Sequence, residues 1–209
     1  VDAKFGPKLV HLVDDDPSFC SAVEGQLAQL GYEVRSNASP KHLLTSLPDE
    51  DVPSCIVLDV RLPGMNGPEL QLRLKELGST VPIIFVTGYP DTQTTVRTIK
   101  AGGEDFLLKP VPTEQLVECV ERAIGRHGAA LTTKRAREIM LSRLATLTPR
   151  EREVFDGIVR GNTNKTIAEG LGITERTVKA HRGVIMEKMH IRSLAELVVA
   201  AQRLGILDR

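Results

Sequence analysis

The 209 residues hold only three cysteines, Cys20, Cys55 and Cys119. They are odd in number and scattered, and their spacing matches no metal or redox pattern. Each stands among apolar residues and reads as a buried small hydrophobe. No run approaches the ~18 apolar residues that a membrane span needs. Val1–Lys8 lacks the apolar core of a signal peptide, so a cytoplasmic protein with no membrane partner is expected. Repeats and low-complexity tracts are missing as well. So is net charge, since 27 basic and 27 acidic residues cancel, and the total therefore excludes no class of partner. What is present is ordinary globular material, 41% hydrophobic and 26% charged, which argues against a disordered chain.

The distribution of charge says more than its sum. Residues 1–127 carry 12 Lys and Arg against 18 Asp and Glu, a net of −6. Residues 128–143 carry 4 against 1 and residues 144–209 carry 11 against 8, a net of +3 each. An acidic first part and a basic second part suggest two tasks, and the basic part is the better candidate for a polyanion.

The first part alternates strand-like and helix-like segments. Apolar runs at Lys8–Val13, Tyr32–Arg35, Ser54–Leu58, Pro82–Val86 and Asp105–Leu108 read as strands. Unbroken stretches such as Ile56-Val57-Leu58 suit strands buried on both faces. Between them lie amphipathic segments at Pro17–Leu30, Pro40–Leu47, Pro68–Leu77, Thr92–Ala101 and Thr113–Ile124. Five such units predict an α/β doubly wound, five-stranded parallel sheet of flavodoxin-like type. Gly125 and Gly128 then break the pattern, and 127–143 is expected to be a partly helical linker. After Leu147 the strand signals vanish, and helices are predicted over 149–160, 164–170, 175–189 and 193–204. The second domain is therefore an all-α, four-helix unit. Thr148-Pro149-Arg150-Glu151 predicts a capping box at its first helix.

The chemistry gathers at predicted strand ends. Asp14, Asp15 and Asp16 follow the first strand, Asp59 the third, Thr87 the fourth and Lys109 the fifth. Open α/β sheets place ligands at this edge. Clustered carboxylates repel unless a cation neutralises them, and an all-oxygen set suits Mg²⁺. Asp59 then serves as nucleophile toward a phosphoryl group, with Lys109 offsetting charge on the phosphoryl oxygens. A helix N-terminal acidic cluster is the plainer reading of any single Asp in 14–16. Four strand ends that each supply a matching part argue against that reading for the set.

These residues resemble a known family. Val13-Asp14-Asp15-Asp16, the run Leu58-Asp59-Val60-Arg61-Leu62-Pro63-Gly64-Met65-Asn66-Gly67, Val86-Thr87-Gly88 and Lys109-Pro110 are similar to the receiver domain of two-component response regulators, over residues 6–126. The resemblance implies Asp59 as phosphoacceptor of a sensor histidine kinase. Asp14, Asp15, Asp59 and the main-chain carbonyl of Arg61 would hold Mg²⁺. Thr87 and Phe106 would form a switch pair. Phe106 stands where many relatives have Tyr, so the switch would rest on burial alone. Arg61 and Tyr89 are read as shields of the acyl phosphate, and Gly88 as keeping the approach open.

In the second part, a 100° wheel over 175–189 puts Thr177, Val178, His181, Val184, Ile185 and Met189 on one side. Glu175, Arg176, Lys179, Arg182, Gly183 and Met186 fall on the other. The cations suit guanine edges or phosphates, and Gly183 permits close approach to a groove. A shorter helix ending near Gly172 and a cap at Thr174 complete a helix-turn-helix arrangement. A solvated charged face on a core helix is the competing reading.

Leu147-Thr148-Pro149-Arg150-Glu151, Asn164-Lys165-Thr166-Ile167-Ala168 and Thr174-Glu175-Arg176-Thr177-Val178-Lys179-Ala180-His181-Arg182 resemble the LuxR-type helix-turn-helix over about residues 144–207, within a domain expected to span 144–209. The whole chain looks like a FixJ-like member of the NarL/FixJ group. That resemblance implies base contacts from Lys179, Arg182 and Gly183, and Ala180 near thymine methyls. It implies phosphate contacts from Thr163, Asn164, Lys165, Thr174 and Arg176. The last helix has a stripe of Leu194, Leu197, Val198, Ala201 and Leu204, and Ala195, Val199 and Gln202 are read as a homodimer contact. The function expected is a phosphorylation-activated transcriptional regulator, not an enzyme. It would bind double-stranded promoter DNA at two half-sites, dimerise on phosphorylation and engage RNA polymerase as an activator. Control by unmasking and control by dimerisation both stay open. The rival is a Mg²⁺-dependent phosphohydrolase, against which Arg61, not Asp, stands two places after Asp59. A LuxR-type sensor of a small ligand is a third reading.

Overall fold

A computed structural model describes residues 8–88 and 105–206. The chain divides into two units, Val1–Thr132 and Thr133–Arg209.

The first unit is built on β1 (Leu9–Val13), β2 (Glu33–Asn37), β3 (Ser54–Asp59), β4 (Ile83–Thr87) and β5 (Asp105–Leu108). All pairings are parallel, in the order β2-β1-β3-β4-β5. The predicted sheet is the observed one. Every residue of β1, β3 and β4 is buried, as unbroken apolar runs require when helices cover both faces. β2 lies at the edge and is partly exposed, which explains its polar sequence.

The helices are α1 (Pro17–Gln29), α2 (Pro40–Thr45), α3 (Gly67–Glu76) and α4 (Thr113–Ala145), the last continuing past Thr132 into the second unit. Pro occupies the first turn of α1, α2 and α3, where a missing N–H costs nothing. Asn66 and Glu69 close a capping box on α3. The predicted helix Thr92–Ala101 lies outside the described residues.

One expectation is corrected. Gly125 and Gly128 do not interrupt α4, and 127–143 is helical throughout. A glycine costs a helix interior about 1 kcal/mol. Against this, Leu116, Val120, Ala123, Ile124, His127 and Leu131 recur at helical spacing and are all buried. The Ser54 N–H also donates to His127 Nδ1 at 3.1 Å, tying the helix to β3 at this level.

The second unit contains α5 (Pro149–Val159), α6 (Asn164–Leu171), α7 (Glu175–Lys188) and α8 (Leu194–Arg203). The predicted capping box is present. Thr148 Oγ1 accepts the Glu151 N–H, and Glu151 accepts the Thr148 N–H. One core joins Leu144, Val154, Phe155, Ile158, Ile167, Val178, Ile185, Met189, Leu197 and Ala201. Three helical-face assignments change. Val184 and Leu194, expected inside, are exposed. Met186, expected on the polar side, packs against the core.

Candidate functional site

Parallel register brings the ends of four strands to one edge. Val13 pairs with Leu58, Asp59 with Val86, and Thr87 with Leu108. Asp14, Asp59, Thr87 and Lys109 therefore arrive together. The Lys109 N–H donates to the Thr87 carbonyl at 2.8 Å, extending the β4–β5 pairing by one step and aiming the lysine at the acids.

Asp14 is 1% exposed and Asp59 is 8% exposed, while Asp15 faces solvent. Lys109 Nζ donates to Asp14 Oδ2 at 2.6 Å and to Asp59 Oδ2 at 2.7 Å. Burial pushes the Asp14 carboxyl up and outweighs the opposing pull of Lys109. Burial pulls Lys109 down, yet its bonds to Asp14 and Asp59 together prevail and hold its pKa above the usual lysine value. The Asp59 carboxylate also accepts the Arg61 N–H on Oδ1 at 2.9 Å. Every carboxylate oxygen of Asp59 thus has a donor before any ligand is considered.

One oxygen each from Asp14, Asp15 and Asp59 lies within 4.8 Å of the others. The set is hard and all-oxygen, and it fits a divalent cation of the Mg²⁺ kind. Asp16 has another task. Its side chain caps α1, accepting the N–H groups of Ser18 at 2.9 Å and Phe19 at 3.3 Å. The plainer reading of that acidic run is correct for Asp16 alone.

Thr87 is buried, and Phe106 is partly buried against the cluster containing Ile83 and Phe85. Gly88 is exposed, and among the described residues a Cβ there would meet nothing within 4 Å. Tyr89 lies outside the described residues. Arg61 is exposed.

Two residues of the site escaped the sequence reading. At Gly67 a Cβ would stand 2.7 Å from the Asp59 carbonyl oxygen, so only glycine lets α3 begin this close to Asp59. The motif contained this residue without a stated role. Phe19 places its ring centroid 4.2 Å from Lys109 Nζ, and no spacing in the sequence signals that.

The second unit presents the other candidate surface. Gly172 takes the left-handed conformation (φ 64°) between α6 and α7, the tight turn that such a helix pair needs. Thr163 and Thr174 cap the two helices. Each hydroxyl accepts a backbone N–H, from Thr166 at 3.2 Å and from Thr177 at 3.1 Å. Helix N-termini attract phosphate, and both caps are exposed. Lys165, Arg176, Lys179, Ala180 and Gly183 are exposed too. Arg182 is not: it is partly buried and donates to Asn164 Oδ1 at 2.8 Å. His181 is partly buried, in keeping with a packing role. On α8, Ala195, Val199 and Gln202 are exposed, opposite the buried Leu197, Ala200 and Ala201.

Comparison with known proteins covers both parts of the chain. Residues 10–121 match the response regulator receiver domain, and residues 145–201 match the bacterial regulatory proteins of the luxR family. Nodulation protein W of Bradyrhizobium diazoefficiens is 40% identical over 199 residues, covering 95% of this chain and 87% of that protein. The transcriptional regulatory protein FixJ of the same organism is 35% identical, covering 95% and 97%. Among solved structures, the response regulator StyR superposes with a TM-score of 0.87 at 35% identity, over 95% of this chain and 100% of that one. Full-length FixJ from B. japonicum gives 0.59 at 34% identity, over 97% and 99%. No described helix is long and apolar enough to cross a membrane.

Proposed function

The chain belongs to the two-component response regulators that join a receiver to a LuxR-type DNA-binding domain, and from that premise we propose that Asp59 takes a phosphoryl group from a sensor histidine kinase. The observation that carries this is Lys109 reaching both Asp14 and Asp59, at 2.6 and 2.7 Å, from a separate strand.

A carboxylate oxygen of Asp59 attacks phosphorus in line with the kinase phosphohistidine. A P–O bond forms, the P–N bond breaks, and its electron pair stays on the imidazole nitrogen, which takes up a proton. Asp14, Asp15, Asp59 and the Arg61 main-chain carbonyl would hold Mg²⁺, which neutralises charge on the transferring phosphoryl oxygens. Lys109 exchanges its bond with Asp59 for one to a phosphoryl oxygen. The Thr87 hydroxyl donates to another, and Phe106 moves further into the space vacated behind it. Arg61 shields the acyl phosphate from water. The chain is phosphorylated once per cycle and is not an enzyme turning over a phosphate ester.

The response is binding of promoter DNA as a homodimer. Thr163, Asn164, Lys165, Thr174 and Arg176 hold phosphates. Lys179, Arg182 and Gly183 face base edges, and Ala180 lies near thymine methyls. Ala195, Val199 and Gln202 form the dimer contact, placing half-sites about 34–36 Å apart. The domains are 6–126 and 144–209, joined through the helical segment 127–143. The dimer recruits RNA polymerase in the cytoplasm.

The test is intact-mass analysis after acetyl phosphate and Mg²⁺. One hydroxylamine-labile phosphate per chain is expected, and none on Asp59→Asn. Phosphate on the variant at wild-type stoichiometry would overturn the assignment.

A further inference from the structure

We propose that Phe19 is a positioning residue for Lys109, its ring face holding the ammonium in the acidic site while the lysine changes oxygen partners. This rests on the reading of Asp59 as phosphoacceptor.

The geometry is specific. The Phe19 ring centroid lies 4.2 Å from Lys109 Nζ, well inside the ~6 Å reach of a cation–π contact. The Lys109 side chain is 18% exposed, so little water competes for it. A lysine ammonium has three N–H donors. Asp14 and Asp59 take one each, and the ring adds an attraction that does not depend on either oxygen. The ring is itself well placed. Asp16 caps α1 and accepts the Phe19 N–H at 3.3 Å, and the side chain packs against the sheet cluster containing Val10 and Leu12.

The function follows from competition for oxygens. Asp14 and Asp59 are also two of the three carboxylates that can hold a divalent cation. A cation there draws on the oxygens that now bind Lys109. Phosphorylation of Asp59 then replaces its Oδ2 contact with phosphoryl oxygens. Both oxygen partners of Lys109 are therefore exchanged during the cycle. The Phe19 face is not, because a hard divalent cation prefers oxygen to a π face. The ring thus remains a fixed point from which Nζ reaches Asp14, Asp59 and a phosphoryl oxygen in turn. Without it the four-carbon stem is free to carry the ammonium out into water, at the cost of phosphoryl stabilisation.

The experiment uses the full chain with Phe19→Leu, Phe19→Trp and pentafluorophenylalanine at position 19. Pentafluorophenylalanine keeps the ring shape and inverts its quadrupole, so it tests the electrostatics where Phe19→Leu disturbs packing. The first readout is the Lys109 ε-CH₂ resonance without phosphodonor. An upfield ring-current shift is expected in wild type and Phe19→Trp, and its loss in Phe19→Leu. The second is the rate of phosphorylation by acetyl phosphate with Mg²⁺. A loss of about 2- to 5-fold is expected for Phe19→Leu and for pentafluorophenylalanine, the size of a partly exposed cation–π contact, with Phe19→Trp restored. An unmoved Lys109 resonance in Phe19→Leu, or wild-type rates in the fluorinated chain, would overturn the inference while leaving Asp59 phosphorylation intact. A wild-type chain that takes no phosphate on Asp59 removes the parent reading and this one with it.

Discussion

Arg182 donates to Asn164 Oδ1 across 2.8 Å, from the middle of α7 to the first residue of α6. Two residues proposed to touch DNA are therefore joined to each other first. A guanidinium held by one bond loses less freedom when it meets a base edge.

The pair should behave as a unit in DNA binding. Asn164→Ala and Arg182→Ala are each expected to weaken binding of a selected duplex at fixed salt. Removing a hydrogen bond to a charged group costs about 1.5–3 kcal/mol, and residues in contact are not additive. The double variant should be little worse than Arg182→Ala. Fully additive losses in the double-mutant cycle would show that the contact does not orient Arg182.

Gly67→Ala should damage the phosphoacceptor site by displacing backbone. The added Cβ would lie 2.7 Å from the Asp59 carbonyl oxygen and 3.1 Å from Val60 Cα, and neither is a flexible side-chain end. Overpacking of this kind costs about 1–3 kcal/mol. Urea denaturation should show the receiver losing that much, with slower phosphorylation of what remains folded. Unchanged stability would mean that the loop before α3 relaxes freely.

His11 should make the receiver acid-sensitive. It is 3% exposed on β1, burial being the main reason its pKa is lowered to about 4 from 6.5, with Arg35 adding to the effect. Between those values the unfolded chain binds a proton that the folded chain refuses, so stability rises with pH. The contribution is fully present above pH 6.5 and is lost as pH falls toward 4. Its ceiling is about 3.5 kcal/mol, at roughly 1.4 kcal/mol per pKa unit. Denaturation midpoints over this range should slope for wild type and flatten for His11→Leu. Parallel slopes would assign the effect elsewhere.

The strand ends were legible because the chain writes them in two plain signals. Ile56-Val57-Leu58 and Ile83-Ile84-Phe85-Val86 are continuous apolar runs, and such runs mark strands covered on both faces. Asp59 and Thr87 then stand out as polar residues at the ends of otherwise apolar segments. The Phe19–Lys109 contact is different in kind. Its partners are 90 positions apart, and only the closing of the sheet brings the first turn of α1 to the end of β5. Periodicity carries no record of that. Gly125 and Gly128 misled because local propensity weighs a glycine but not the burial of Leu131 beyond it. Val184, Met186 and Leu194 lie near the edges of their helical stripes, where an ideal wheel decides least.

Glu151 should anchor the second domain through charge as well as capping. Its carboxylate accepts the Thr148 N–H at 2.8 Å and Lys188 Nζ at 2.7 Å. Lys188, followed by the Thr148 N–H, holds its pKa below the usual glutamate value. A lowered carboxylate contributes stability above its unfolded pKa and loses it as pH falls through the folded one. Glu151→Ala should cost about 1 kcal/mol, the scale of a lost helix cap. Glu151→Gln should cost less and remove the acid dependence. Thermal melts of the C-terminal transition at pH 7 and pH 4 would check both.

Under the proposed function, phosphate on Asp59 changes DNA binding by the second domain. The direct measurement is the Kd of the full chain for a selected duplex, with and without beryllofluoride and Mg²⁺, for wild type and Asp59→Asn. Wild type should bind at least tenfold tighter with the reagent, a change of about 1.4 kcal/mol, and the variant should not respond. Equal tightening in Asp59→Asn, or none in a wild type that carries the adduct, would contradict the account.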